Sequence, residues 1–529
     1  MVELGNGTRP GTAWRQRLAP CLFAAAALAA LVLFLWCTTA RLPWAYELSK
    51  MEGGFVDHAR RAARGLSIHA APTAEFAPFL YMPFAHHVAG WLVGAGLDGY
   101  AATRLLSIVS IALATALSTW LCARALRQRW LAALVPLLVV ARYFDVECFF
   151  DQARPDNLMT LFLALATVAL ALPRAAPAVL LFVAAGALAF FTKQSSLVFL
   201  AALLGWHGFV RLRVALAAGA LLAVVAAPIY LLLDGRTDGW LTTYVWNIPA
   251  THHLDQRGFI KLVRDQLLGG FLVPALVITG AALLFARELL TRWRRGHLLL
   301  ELPSGESAAD ERARALATHA LFSGALAGLG FSVASSTQVL AVKNVWVSCA
   351  VACAPFLPLA FERAVASVAP PRRVLATQAG WLALTACVAL GFTDPRPFRP
   401  VAADAEEWRA LHAELAKLGP RERTWITLHA ASYGGVPDEP FHLHFGALSD
   451  LMGGYYGDPT GVELPKDLVE KIANRWYAAI VIADWDPRIR AVIGASYEPA
   501  PGVRMFRLPS FSGYPSGKSV IWIPKATGG

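Results

Sequence analysis

Long uninterrupted runs of apolar residues dominate the chain and decide what it can fold into. The hydrocarbon core of a bilayer is about 30 Å thick, and a helix of about 20 apolar residues crosses it. Eleven runs of roughly this length or shorter lie near residues 19–40, 101–122, 130–143, 157–172, 178–192, 195–210, 213–233, 268–287, 317–334, 345–361 and 374–392. The sequence therefore predicts an all-α polytopic membrane domain over residues 1–392, with about eleven transmembrane helices.

The composition agrees with a membrane protein. Of the 529 residues, 57% are hydrophobic and only 16% are charged, whereas soluble domains carry about 25% charged residues. The net charge of +11 comes from Arg and Lys scattered between apolar runs, so no nucleic-acid partner is expected. The seven cysteines show no CxxC or zinc-ligand spacing, which excludes a recognisable disulfide framework or structural zinc motif.

The first apolar run has two readings, a cleaved signal peptide or a first transmembrane helix. It follows Arg9, Arg15 and Arg17, as a signal core would. Its length of about 20 residues exceeds the 7–15 of a signal core, and no clear small-residue cleavage site follows it. We therefore expect an uncleaved helix.

Basic connections predict the orientation. Arg-rich connections at 124–129, 211–213, 287–295 and 370–373 fall on the same side as the N-terminus if all eleven spans exist. The positive-inside rule makes this side the cytoplasm. An odd number of spans then places the C-terminus outside, which is the periplasm if the protein lies in a bacterial inner membrane.

Three segments outside the predicted spans are too long to be simple turns. The outer loop 41–100 contains two predicted helices, around 52–64 and 82–96, and the outer loop 234–266 contains an amphipathic stretch. The tail 393–529 reads as a small soluble α/β domain in the periplasm. Its predicted elements are a helix at 402–418, a strand at 424–428, a helix near 465–475, a strand at 478–484 and late strands in VRMFRL and SVIWIP.

Charged residues collect at the predicted outer ends of the first helices, where charge is costly and often functional. They are Glu47, Glu52, Asp57, His58, Asp145, Glu147, Asp151, Arg154, Asp156 and Lys193. Because acids and bases converge on one side, we expect a polar cavity there that faces hydroxyl and phosphate groups.

Several of these segments resemble one family in order and spacing. MEGGFVDHARRAARGLSIH, PFLYMPFAHHVAGWL and TRLLS resemble the first extracytoplasmic loop of GT-C glycosyltransferases of the protein O-mannosyltransferase and lipid A aminoarabinose transferase type. ARPDNLMTLFLALA resembles their R-x-D motif at the entry to the fourth helix, and FTKQSSLVF resembles their T-K segment between helices five and six. KNVW resembles a later polar segment with Lys and Asn. The resemblance covers about residues 40–345 and implies sugar transfer from a polyprenyl-phosphate carrier to an acceptor on the outer side, with inversion and without a nucleotide sugar.

One position departs from this pattern. Relatives usually carry Asp-Glu where this chain has Met51-Glu52. Either Glu52 acts alone, or Asp57 or Glu47 replaces the missing carboxylate.

The implied chemistry assigns candidate roles. An acceptor hydroxyl or amine needs a carboxylate to take its proton, and Glu52 is the candidate general base, with Asp57 as a further catalytic candidate. The simpler alternative is that Glu52 stabilises the N-terminus of the helix that follows it. The leaving phosphate needs cations, for which Lys193 and Arg154 are the candidates.

Each cation and its neighbours have a simpler interpretation too. Lys193 is otherwise a membrane-surface anchor, and Arg154 otherwise pairs with Asp151 or Asp156. Asp156 either contacts sugar or acceptor, orients Arg154, or stabilises the helix start after Pro155. The remaining substrate-binding candidates are Tyr81 and His86, in and after the YMP segment, and Gln194 beside Lys193.

Histidine pairs are weak metal candidates. Adjacent residues on a helix point about 100° apart, so His86-His87 and His252-His253 do not easily share a metal. His442 and His444 could share one on a strand. We assign no metal ligand and leave a divalent metal cofactor open.

Two functions compete. The first is a membrane glycosyltransferase, which lies in membrane lipid. It transfers a sugar from a polyprenyl-phosphate donor to an unknown acceptor, which is a glycan, a lipid or a protein. A transporter or flippase of a lipid-linked sugar is the alternative, but transporters show repeated halves and charges near the bilayer midplane. The two halves of this chain differ, and its acids cluster at one outer face, which favours the enzyme. Mere anchoring of the tail would not need eleven spans.

Overall fold

The structure is a computed structural model. It describes residues 10–295, 302, 308–338, 341–427, 429, 431–433, 436, 439–441, 443–452, 460, 462–483, 487–513 and 517–526.

The larger part of the molecule is helical, and each of the eleven predicted apolar runs overlaps a helix. The helices are α1 (Pro10–Arg41), α2 (Glu52–Ala63), α3 (Phe84–Gly94), α4 (Gly99–Ala125), α5 (Leu134–Val140), α6 (Pro155–Leu170), α7 (Ala175–Thr192), α8 (Ser196–Gly235), α9 (Trp240–Thr242), α10 (Ile248–Ala250), α11 (Gln256–Leu268), α12 (Leu272–Trp293), α13 (Ala309–Ser335), α14 (Val347–Cys353), α15 (Phe356–Ser367) and α16 (Arg373–Ala389). A π-helical turn, Thr243–Asn247, joins α9 to α10.

The number of helices that cross a membrane stays a prediction. Within the described ranges, six helices are long and apolar enough to cross, and the segment that bends by 42° between α14 and α15 makes up to seven. Two further apolar helices, Arg129–Val140 and Pro155–Leu170, are shorter.

The long helix α8 is a hairpin of two antiparallel segments. Arg211 has a non-helical backbone (φ −141°, ψ 64°). A Cβ atom on Gly219 would lie 3.4 Å from Cδ1 of Leu204, although a straight helix would separate these residues by about 22 Å along its axis. The prediction of two separate helices, at 195–210 and 213–233, is therefore confirmed.

Contacts between connecting segments agree with alternation of the predicted spans between two sides. The Arg211 guanidinium donates to the carbonyl of Leu172 at 2.6 Å, and these two connections were predicted to lie on one side. Glu362 accepts from the backbone N–H of Gln128 at 2.6 Å, again within that side. Lys193 and Asp156, which were both predicted to lie on the outer side, also contact each other.

Small residues let the helices approach closely. A Cβ on Gly328 of α13 would lie 2.9 Å from the Cβ of Ala352, and one on Gly324 would lie 3.0 Å from Cγ2 of Thr167. Such close backbone approach is how helices associate in lipid, where the hydrophobic effect does not drive them together.

The outer loop 41–100 forms the two helices that were predicted. α2 and α3 pack against each other, and a Cβ on Gly90 would lie 2.7 Å from the Cβ of Ala62 and 2.9 Å from the carbonyl oxygen of Ala59. Most of α2 is buried, including Glu52, Asp57 and His58. This loop is therefore a packed layer at the outer end of the bundle.

The tail forms a small α/β domain. Its elements are α17 (Ala402–Leu418), β1 (Thr424–Ile426), α18 (Phe445–Leu451), α19 (Lys466–Ala473), β2 (Ala479–Ala483), α20 (Pro487–Gly494), β3 (Tyr497–Pro499) and β4 (Ser519–Pro524). The sheet order is β1-β2-β4-β3, with β1 parallel to β2 and the other pairs antiparallel. Ile480 and Ile482 pack on one face, Ala479 and Val481 on the other, as strand alternation requires.

The tail also corrects the sequence analysis. The predicted strand VRMFRL is wrong, since of its residues only Phe506 forms a bridge, to Ser519. The physical reason is that β4 already pairs with β2 on one edge and β3 on the other. The short elements α18, α20 and β3 were not predicted.

The tail docks on the outer loop. Tyr46 stacks on Trp408 with ring centroids 4.9 Å apart, and Nδ1 of His429 lies 2.7 Å from Oε2 of Glu47. Asp467 accepts a hydrogen bond from the backbone of Ala74 at 2.9 Å. The division into domains 1–392 and 393–529 stays a prediction, because the two parts share buried contacts.

Candidate active site

Glu52, the first residue of α2, lies in a fully buried ion pair with Arg104 of α4. Its Oε1 accepts from Arg104 Nε and from the backbone N–H of Ala153, both at 3.0 Å. Its Oε2 accepts from Arg104 at 2.7 Å and from the backbone N–H of Leu48 at 2.6 Å. The carboxylate thus joins α2, α4 and the segment before α6.

These bonds decide the charge of Glu52. Burial alone would raise its pKa, but the Arg104 guanidinium and the two backbone donors lower the pKa below its usual value. A general base needs a free lone pair within reach of the acceptor, and here four donors occupy a carboxylate with no exposed surface. The geometry therefore favours a positioning role, and the role of general base stays a prediction.

Arg104 extends this positioning role to the preceding loop. It donates to the backbone carbonyls of Arg41 at 3.1 Å and Tyr46 at 2.6 Å, and also to that of Trp44. The ion pair therefore fixes the path of the chain from the end of α1 to the start of α2. Arg104 belongs to the TRLLS segment of the resemblance, which gave no indication of its pairing with Glu52.

The other two predicted carboxylates are buried as well. Asp57 accepts from Arg60 at 2.6 Å, and burial, partly offset by Arg60, raises the pKa of Asp57 to about 6. Glu47 contacts His429, and burial, with the nearby charges of Glu52 and Asp57, raises the pKa of Glu47 well above its usual value.

Lys193, Asp156 and Asn344 meet between three helices. Lys193 follows α7, and its Nζ donates to Asp156 Oδ1 at 2.7 Å, while the Asn344 amide donates to the same oxygen at 3.1 Å. Oδ2 of Asp156 is buried and has no hydrogen-bond partner. Asp156 therefore ties α6 to α7 and to the KNVW turn, and its second oxygen is left for another donor.

Arg154 stands apart from this network. Its two predicted counter-ions are engaged elsewhere, since Asp151 pairs with Arg41 at 3.0 Å and Asp156 pairs with Lys193. The Arg154 guanidinium lies over the ring of Phe149 at 5.3 Å, and its buried Nε has no hydrogen-bond partner. Within the described residues, Arg154 forms no ion pair.

Lys50 is a third cation that the sequence analysis missed. Burial, together with the nearby charge of Arg154, lowers the pKa of Lys50 to about 8. Burial would lower the pKa of Lys193, but the charge of Asp156 raises it above its usual value. The charge of Arg154 partly offsets this rise. We call Lys50, Arg154 and Lys193 the basic cluster; the position of Lys50 directly before Met51-Glu52 was the signal that could have revealed it.

Tyr81 and Gln194, two further substrate-binding candidates, lie beside Lys193 of the basic cluster. The Lys193 ammonium lies 5.2 Å from the centroid of the Tyr81 ring. The Gln194 amide donates to the carbonyls of Leu80 at 2.8 Å and Val245 at 3.3 Å, and its Oε1 has no hydrogen-bond partner. Gln194 thus connects α8 to both outer loops, while the substrate roles of these side chains stay predictions.

The His86 side chain lies in the core of the outer loop 41–100. It is fully buried, with ring centroids 4.6 Å from those of Phe55 and His58. The close packing of α3 on α2 accounts for this burial, and the substrate-binding role of His86 stays a prediction.

The histidines and carboxylates of the described residues were candidates for a metal site. Within the part of the chain that the structure describes, no group of three or more His, Cys, Asp or Glu side chains is arranged to hold a metal ion. The pair of His442 with His444 lies partly outside the described residues.

Comparisons with known proteins identify the fold. No protein-family model and no curated protein sequence matches the chain. Among the solved structures that match, two do so over nearly their full length: ArnT from Cupriavidus metallidurans bound to undecaprenyl phosphate, and the same protein in the apo state. The first has a TM-score of 0.53 and 16% identity, covering 98% of this chain and 99% of that chain. The second has a TM-score of 0.50 and 16% identity, with 97% and 98% covered.

This likeness confirms the predicted architecture. The chain has the GT-C fold of a lipid A aminoarabinose transferase, with an α-helical membrane domain and a small C-terminal α/β domain. At 16% identity the likeness extends to the fold and not to the substrate.

Proposed function

We propose that this chain is an integral membrane glycosyltransferase that moves a sugar from a polyprenyl-phosphate carrier to an envelope acceptor. The observation that carries this proposal is the basic cluster, in which Arg154 lacks a counter-ion among the described residues. A largely buried guanidinium without an anion is costly unless a ligand supplies the anion. The bound undecaprenyl phosphate of the similar ArnT structure supports a lipid phosphate as that anion.

The basic cluster suits the leaving group of the reaction. The acceptor oxygen or nitrogen attacks the anomeric carbon, the bond from this carbon to the phosphate oxygen breaks, and its electron pair stays on the phosphate. The acceptor's proton passes to a carboxylate. Because the departing polyprenyl phosphate gains negative charge, cations already in place stabilise the transition state more than the ground state.

Asp156 and the inversion of configuration belong to the same proposal. Oδ2 of Asp156 is left to accept a hydroxyl of the bound sugar or acceptor, while Oδ1 holds Lys193 in place. One direct displacement at the anomeric carbon inverts its configuration. No step of this scheme uses a nucleotide sugar.

The predicted topology places the reaction outside the cytoplasm. The basic cluster and the outer loops lie at the same end of the bundle, opposite Arg211 and Glu362. With the N-terminus in the cytoplasm of a bacterial cell, this end and the C-terminal domain face the periplasm. The acceptor is then a periplasmic glycan, lipid or protein.

The carrier site is tested best at Arg154. Lys193→Ala would leave the buried carboxylate of Asp156 without its cation, whereas Arg154→Gln removes a charge that supports no ion pair in the described structure. In nanodiscs, we expect Arg154→Gln to raise the Kd for undecaprenyl phosphate about tenfold or more, as the loss of a charge-assisted hydrogen bond would. The matched control is Arg396→Gln, since Arg396 is exposed and, among the described residues, its ion pair is with Asp394.

The outcomes separate the two functions. Unchanged carrier affinity in Arg154→Gln contradicts the proposed site. With a panel of undecaprenyl-phosphate sugars labelled in the sugar and an envelope extract as acceptor, wild-type protein should transfer label. Movement of labelled lipid across the bilayer without transfer would instead support the flippase.

A further inference from the structure

The carboxylates near the basic cluster differ in exposure. Glu47, Glu52, Asp57 and Asp156 have side chains that are at most 4% exposed, and each contacts a basic residue or histidine. Asp450 in α18 of the C-terminal domain is 21% exposed. Its one ion-pair contact in the described structure is His252, whose Nε2 lies 3.5 Å from Oδ1.

α18 is anchored directly on the segment that carries Lys50, one member of the basic cluster. His444, which precedes α18, donates from Nε2 to the carbonyl of Lys50 at 2.5 Å and accepts the backbone N–H of Gly446 at Nδ1. A Cβ on Gly446 would lie 3.0 Å from Sδ of Met51. The start of α18 therefore sits against Lys50 and Met51.

Helix geometry then places Asp450. Gly446 and Asp450 are four residues apart and share one face of α18. The face that contacts Met51 is thus the face that carries the Asp450 carboxylate. From His444 to Asp450 the helix advances about 9 Å, so α18 carries this carboxylate away from Lys50 along the face that contacts Met51.

A second path connects Asp450 to the membrane helices. The charge of Asp450 contributes, after burial, to the raised pKa of Tyr244, and the Tyr244 hydroxyl is buried with no hydrogen-bond partner. The next residue, Val245, accepts the Gln194 amide through its carbonyl, and Gln194 follows Lys193. Asp450 and Gln194 are therefore both connected to the Tyr244-Val245 segment of the outer loop 234–266.

We propose that Asp450 is a catalytic residue, the general base that receives the acceptor's proton, so that the C-terminal domain completes the active site. This rests on the proposed glycosyltransferase function. As the acceptor oxygen or nitrogen bonds to the anomeric carbon, its proton passes to an Asp450 oxygen and the electron pair of the broken bond leaves on the polyprenyl phosphate. The proton later returns to water.

The surroundings of Asp450 suit this role. Burial lowers the pKa of His252, so His252 is neutral near pH 7 and leaves Asp450 without a cation. Burial also raises the pKa of Asp450 to about 7, and a base works best when its pKa lies near the working pH. Glu52, by contrast, has its acceptor positions filled.

The test compares Asp450→Asn with Glu498→Gln, an exposed residue of β3 that serves as the matched carboxylate-to-amide control. Purified proteins in nanodiscs are assayed for undecaprenyl phosphate binding, melting temperature and transfer of labelled sugar from the carrier panel to the envelope extract. For Asp450→Asn we expect transfer to fall about 100-fold or more, with carrier Kd within about twofold of wild type. Asp450→Glu should recover part of the transfer.

Two results would overturn the assignment. One is transfer by Asp450→Asn equal to that of Glu498→Gln. The other is a parallel loss of carrier binding and melting temperature, which would make Asp450 structural. Failure of the wild-type protein to bind the carrier would instead contradict the proposed function itself, so the two failures are distinguishable.

Discussion

At the scale of single residues, the most informative contact is the ion pair of Glu52 with Arg104. Both side chains are fully buried, and Arg104 also holds three backbone carbonyls of the preceding loop. Removing one partner of a buried ion pair leaves an uncompensated charge and costs about 3–5 kcal/mol. We therefore expect Glu52 to act through the shape of the loop that carries Lys50.

This pair gives the first residue-scale prediction. Glu52→Gln should lower the melting temperature and weaken binding of undecaprenyl phosphate together with transfer. Combining it with Arg104→Gln should restore part of the melting temperature, because the stranded charge is then gone. Loss of transfer at unchanged melting temperature and carrier affinity would instead support Glu52 as the general base.

Sequence reasoning found residues of the site that lie within recognisable motifs. Lys193, Arg154, Asp156 and Glu52 follow from the resemblance, and the structure brings them to one end of the bundle. It could not find Asp450, because its proximity to Met51 depends on how a distant domain docks. It also could not show that His86 is buried, because sequence alone does not show which face of α3 packs on α2.

At the scale of elements, the close packing of α2 on α3 sets the outer wall of the site. A Cβ on Gly90 would meet both the side chain of Ala62 and the backbone carbonyl of Ala59, at 2.7 and 2.9 Å. Gly94, in the same helix, has nothing within 4 Å of such a Cβ. The two glycines therefore form a matched pair.

We predict that Gly90→Ala destabilises the protein by about 1–3 kcal/mol, since backbone atoms cannot yield as a flexible side chain can. Gly94→Ala should leave the melting temperature unchanged or slightly higher, because alanine favours a helix. Thermal unfolding of both variants in one detergent checks this. Equal melting temperatures for the two would contradict the close packing.

The elements also show where sequence patterns were sufficient. Apolar runs and the α17 and β2 patterns predicted helices and strands well, because each pattern reflects burial along its own length. The strand VRMFRL failed because pairing depends on which edges are free, and β3 had taken the edge of β4. A periodic pattern contains no information about that competition.

At the scale of the whole molecule, the protein is a bundle with two unlike ends. One end carries Arg211 and Glu362, which bind backbone groups of neighbouring connections. The other gathers the basic cluster, both outer loops and the docked C-terminal domain. The fold was predictable from the resemblance, whereas the docking of the domain over the site was not.

The proposed glycosyltransferase function requires that the basic cluster binds the phosphate of a polyprenyl carrier. The most direct measurement is a cryo-electron microscopy map of the protein in nanodiscs with undecaprenyl phosphate added. We expect phosphate density within about 4 Å of the Arg154 guanidinium and the Lys193 ammonium, which is the range of an ion pair. We expect no such density in a map of Arg154→Gln. Phosphate density at any other place, or the same density in Arg154→Gln, would contradict the account.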